Sequence, residues 1–239
     1  MLEAGLWGLV GGLALLVGAG AALLLPVPPK VIGLVMAFGA GVLISALAFE
    51  LTEEAFKSAG GTVVVVGLLA GALTFYLGDL VIDRRGGQDR KRTEQAAGSA
   101  GALVLGTLLD GIPESVAIGA SLLGGGMVGT TVVIAVFLSN VPEALAASTG
   151  LRAAGRSARW ILGLWTAVAL TSALAAGLGF ALLGGADAAA VAVTQAFAAG
   201  AILTMLADTM MPEALEKGGS SAGLVTTLGF VLAFLLAQA

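Results

Sequence analysis

Leu109-Asp110-Gly111-Ile112-Pro113-Glu114 and Leu138-Ser139-Asn140-Val141-Pro142-Glu143 each set a Pro-Glu pair inside an otherwise apolar run. An ionisable side chain at bilayer depth costs at least ~2.5 kcal/mol on insertion scales, and proline removes a helical hydrogen bond besides. Neither belongs in such a run by default, so the two together mark a polar site inside a membrane protein.

Composition leads to the same class. The chain has 239 residues, 58% of them hydrophobic and 11% charged, with a mean hydropathy of +1.04. A soluble domain could not cover that much apolar surface. Stretches of about 20 apolar residues cross a ~30 Å hydrocarbon core. Eight can be placed, at about 3 to 25, 31 to 54, 61 to 82, 98 to 123, 127 to 150, 159 to 183, 189 to 212 and 221 to 238. The expectation is one all-α integral membrane domain over residues 1–239, with a charged cytoplasmic loop at about 84 to 98.

The basic residues set its orientation. With the amino terminus outside, Lys30, Arg84, Arg85, Arg90, Lys91, Arg92, Arg152, Arg156, Arg159 and Lys217 all fall in cytoplasmic connections, and only Lys57 faces outward. Short loops follow this positive-inside bias, so both termini are expected outside. Trp160 beside Arg159 reads as an interfacial anchor, and the deeper Trp165 as a packing residue. Met1-Leu2-Glu3 lacks a basic n-region, so the first apolar stretch is expected to stay in the mature protein. There is no cysteine, which excludes disulfides and thiolate metal sites. The net charge of −4 gives no reason to expect nucleic acid as a partner.

The chain also resembles itself. Ala37/Ala196, Phe38/Phe197, Gly41/Gly200, Leu47/Leu206, Ala48/Ala207, Glu54/Glu213, Ala55/Ala214 and Gly60/Gly219 match at a constant offset. The second and seventh spans run in opposite directions, so this is an inverted repeat, an arrangement that places a substrate site at the repeat interface. Asp110 to Gly119 aligns with Ser139 to Ser148 on adjacent antiparallel spans. A three, two, three arrangement follows, with the Pro-Glu helices at its centre.

Asp110 and Glu114 stand one turn apart on one helix face, and Pro113 cannot donate to the carbonyl of Leu109. Glu143 repeats this geometry, with Ser139 one turn before it and Pro142 releasing the carbonyl of Leu138. Three carboxylates at low dielectric repel one another unless they are protonated or bridged by a cation. A divalent metal is the simplest bridge, since no lysine or arginine is expected in these spans.

These motifs resemble those of the ZIP (Zrt/Irt-like) divalent metal transporters, whose fourth and fifth helices carry a His-Asn-x-Pro-Glu-Gly type motif and a related x-Asn/Asp-x-Pro-Glu motif. The resemblance spans essentially the whole chain, including Met210-Met211-Pro212-Glu213-Ala214 at the end of the seventh span. It implies that Asp110 replaces a metal-binding histidine, that Glu114 and Glu143 match metal-binding glutamates, and that Ser139 is a supplementary ligand. Asn140 stands where many members have Asn or Asp. Gly111, Thr171 and Ser172 replace ligands of the family's second site, so one main site is expected.

The chain has no histidine, and an all-oxygen site is harder than the family's usual one. The resemblance favours zinc as transported cargo, while hardness favours manganese or iron(II). No resident cofactor and no covalent catalysis are expected. The expected partners are the divalent ion, the bilayer of a cell (inner or plasma) membrane and a second copy of the chain.

Other residues keep two readings. Ser139 and Asn140 serve as ligands or as interhelical hydrogen-bonding groups. Asp208 is a pathway residue or a capping one, and Glu50, Glu54 and Glu213 are pathway residues or solvated helix ends. The rival functions are a non-transporting metal sensor or assembly protein on the same fold, and a proton or organic-solute carrier.

Overall fold

A computed structural model of the chain describes residues 1–84, 100–123 and 127–237. These residues are almost entirely helical, with short connections between the helices and no strand among them. The elements are α1 (Leu2–Leu24), α2 (Pro29–Ala46), a π-helical segment (Leu47–Thr52), α3 (Glu53–Ile82), α4 (Ala100–Ser121), α5 (Met127–Ala153) and α6 (Ala158–Leu183). After them come α7 (Ala188–Met205), a second π-helical segment (Leu206–Met210), α8 (Met211–Gly218), a 3-10 turn (Gly219–Ser221) and α9 (Ala222–Ala237). Beyond Arg84, the expected basic loop lies outside the described residues, as does the glycine run 124–126.

By length and composition, five helical stretches among the described residues can cross a membrane: Leu2–Leu24, Pro29–Ile82, Thr131–Ala153, Ala158–Leu183 and Ala188–Ala237. Two of them, of 54 and 50 residues, are far longer than one crossing. Each of these two is broken by a glycine with positive φ, Gly60 at 79° and Gly219 at 65°. A residue with a Cβ is strained in that region, whereas glycine enters it freely. The breaks fall where the hydropathy pattern separates the second span from the third and the seventh from the eighth.

Close packing positions the helices. α3 lies along α7 and α2 along α9, while α1 contacts both α5 and α6, and α4 contacts both α6 and α7. The first two contacts are backbone to backbone. A Cβ on Gly41 would run into the carbonyl oxygen of Thr226, and one on Gly229 into that of Phe38. Across the other pair, Gly200 meets the carbonyl of Leu68 and Gly71 that of Phe197 in the same way. Lipid tails are as apolar as leucine, so helices in a membrane associate through such close fits rather than by escaping water. Leu6, Leu13, Leu69, Leu174, Leu228 and Leu235 are exposed on the outside of the bundle, a surface suited to hydrocarbon.

Polar contacts fix the ends. Arg152 of α5 donates from Nη1 to the carbonyl oxygens of Ala22 and Leu23, at 3.1 and 2.8 Å. Carbonyls in the last turn of a helix have no intrahelical partner, so this arginine caps α1. The carboxyl ends of α1 and α5 therefore share one end of the bundle, in keeping with two spans that cross in the same direction. Trp165 is buried and donates from Nε1 to Ser148 Oγ at 2.8 Å, a packing role in line with its depth in the sequence. At the start of α6 the Arg156 guanidinium lies 5.0 Å from the centre of the Trp160 ring.

Candidate metal site

The two Pro-Glu runs fall within α4 and α5, with Pro113 and Pro142 inside continuous helices. Neighbouring helices and hydroxyl side chains let proline persist in such spans by taking up the backbone groups it releases. Ser115 Oγ donates to the carbonyl of Gly111 at 2.7 Å, and Ser139 Oγ to that of Val136 at 2.9 Å. Both hydroxyls thus bond within their own helix, one turn back or less, to carbonyls other than those of Leu109 and Leu138 that the prolines release.

Glu114 is almost wholly buried, with 2% of its surface exposed. Its Oε1 has no hydrogen-bond partner among the described residues. Glu143 and Asp110 lie within Coulombic range of it, and both are half-buried. Glu114 therefore interacts electrostatically with Asp110, one turn earlier on α4, and with Glu143 on α5. Among the described residues, no three acidic groups converge closely enough to enclose one ion.

Asn140 is buried and donates from Nδ2 to the carbonyl oxygen of Gly11 on α1, at 3.1 Å. Its amide nitrogen therefore ties the helix carrying Glu143 to α1. Gly111 faces Val168 and Ser172 of α6 across a small crevice that Thr171 also lines. That crevice carries hydroxyls and no carboxylate.

The remaining sequence candidates lie on other elements, the two π-helical segments, α3 and α8. Glu50 is buried in the first π-helical segment, and Glu54 is half-buried just beyond it. Asp208 is exposed in the second π-helical segment. Glu213 pairs with Lys217 at 2.6 Å, one turn along α8. Among the buried polar residues the sequence reading passed over are Asp79 on α3 and Gln195 on α7. The signal that could have found them is a polar side chain inside an apolar span.

No family model matches the chain. Over 197 residues, 81% of its length, the chain is 29% identical to an Arabidopsis thaliana protein named "Putative zinc transporter". The matched region covers 31% of that protein's length. A multi-pass helical membrane protein with a buried acidic centre is thus similar over most of its length to part of a protein named as a transporter.

Proposed function

We propose that the chain is a ZIP-like permease that moves a divalent metal cation across a cell membrane into the cytoplasm. Zinc is the foremost cargo, with manganese and iron(II) as the harder alternatives. The metal pauses between α4 and α5 on Glu114, Glu143 and Asp110, which close around it as it binds. One observation carries this reading: a buried glutamate oxygen with no hydrogen bond among the described residues, set against two further carboxylates. A structural carboxyl in a membrane would be hydrogen-bonded, whereas a ligand oxygen is kept available for the ion. The similarity to the Arabidopsis protein supports metal ions as the class of cargo.

The proposed architecture is eight crossings in a three, two, three inverted repeat. Breaking the two longest stretches at Gly60 and Gly219 turns the five into seven, and α4, which carries the first Pro-Glu run, is the eighth. The constant offset of the self-match carries the first π-helical segment onto the second, and Gly60 onto Gly219. It also carries the Phe38 and Gly41 contacts with α9 onto those of Phe197 and Gly200 with α3. Exchanging the outer triplets and the two central helices turns the α1–α5 contact into the α6–α4 contact, and α2–α5 into α7–α4. Alternating access is a movement of the central block against these triplets.

The test is uptake of zinc, manganese and iron(II) into proteoliposomes holding the purified chain, beside Glu114→Gln. Saturable, chelator-sensitive influx that the variant lacks supports the permease. Metal binding without flux makes the chain a sensor, and flux indifferent to chelators makes it a carrier of another solute.

A further inference from the structure

The end of the bundle where Arg152 caps α1 also holds a groove of roughly 430 Å³ between α1, α5 and α6. Gly20, Leu23, Leu24 and Leu162 give it an apolar wall, and Arg152 and Arg156 stand on its rim. Nothing lies within 4 Å of the position a Cβ on Gly20 would take, so the groove is open along α1. Leu24 is 83% exposed and Leu162 39%, so an apolar ligand could lie along both.

Both guanidiniums are held in place. Arg152 is fixed by the Ala22 and Leu23 carbonyls, which engage only its Nη1, while a guanidinium carries five N–H donors. Arg156 lies against the Trp160 ring at 5.0 Å, and Trp160 is a residue type that sits at headgroup level in membranes. A fixed pair of guanidiniums above leucine side chains matches a ligand with an anionic head and an aliphatic tail. Planar N–H forks favour phosphate oxygens. Basic pockets between transmembrane helices on the cytoplasmic side suit anionic headgroups.

We infer that this groove is a binding site for one anionic phospholipid, its phosphate on Arg152 and Arg156 and an acyl chain along Leu23, Leu24 and Leu162. The bound lipid bridges α1, α5 and α6, and so connects the helix that carries Glu143 to the outer helices. The inference needs only the membrane-spanning fold and stands whether or not the chain transports metal.

Native mass spectrometry of the purified full chain tests it, titrated with phosphatidylglycerol or phosphatidylcholine. The expected result is one phosphatidylglycerol retained in preference to phosphatidylcholine and undisturbed by excess inorganic phosphate. Arg156→Gln removes one charge and should weaken retention about fivefold. Gly20→Leu fills the groove at unchanged charge and should weaken it comparably, while Lys30→Gln, a charge at the same end but off the groove, should leave it unchanged. Circular dichroism of each variant confirms that it is folded. Equal retention of the two lipids, displacement by inorganic phosphate, or equal effects of Lys30→Gln and Arg156→Gln would overturn the assignment.

Discussion

Asn140 on α5 and Gly11 on α1 are joined by a hydrogen bond of 3.1 Å from the amide Nδ2 to the backbone carbonyl, buried between the two helices. The bond holds the helix that carries Glu143 three residues later. Interhelical bonds of this kind in membranes are worth about 0.6 to 1.7 kcal/mol. Asn140→Ala is therefore expected to lower stability in detergent by about 1 kcal/mol while metal affinity changes by no more than a few-fold. Thermal unfolding and isothermal titration on the same preparations check this. A tenfold or greater loss of affinity at unchanged stability would make the amide a ligand instead.

Glu114→Gln and Glu143→Gln should each reduce uptake of every divalent metal by at least about tenfold, since each removes a charged oxygen from a low-dielectric site. Asp110→His replaces a hard anionic ligand with a softer neutral one and should move the ranking toward zinc over manganese. Uptake by these variants and Asp110→Ala, at matched expression, is the comparison to make. A fully active Asp110→Ala with an unchanged ranking in Asp110→His would remove Asp110 from the ligand set.

The crevice between Gly111 and Ser172 offers no carboxylate, so equilibrium binding to the wild-type chain should reach one tightly held ion. A Cβ at Gly111 would lie 3.9 Å from Val168 Cγ1 and 4.0 Å from Ser172 Oγ, ordinary contact distances. Gly111→Asp should therefore fold and raise the stoichiometry to two. A wild-type chain that already binds two ions with equal affinity would contradict the single-site reading.

Gly41 and Gly200 lie against the carbonyls of Thr226 and Leu68. Adding a methyl group there must push two helices apart, and overpacking of this kind costs about 1 to 3 kcal/mol. Gly41→Ala and Gly200→Ala should lower the thermal midpoint by similar amounts. Gly163→Ala, where the surroundings are open, should not. A marked difference between the first two would argue against equivalent roles in the two halves.

The cysteine-free chain makes orientation directly testable. A cysteine at Ser58 should react with an impermeant maleimide in intact cells, and one at Ala154 only after permeabilisation. The reverse pattern would invert the direction of access.

Much of this was legible in the order of residues, because hydropathy, helix breakers and short-range spacing are properties of a chain segment. A run of apolar residues satisfies its backbone as a helix wherever it is buried in lipid, so the helix positions and the breaks near Gly60 and Gly219 follow from local sequence. The i, i+4 spacing likewise sets Asp110 and Glu114 on one face before any fold is known. Spacing does not say what that face meets. Only the packing of helices far apart in the chain buries Glu114 while Asp110 and Glu143 stay half-buried, and it gives the Asn140 amide the carbonyl of Gly11. The groove beside Arg152 also arises there, since it depends on how α1, α5 and α6 are held against one another.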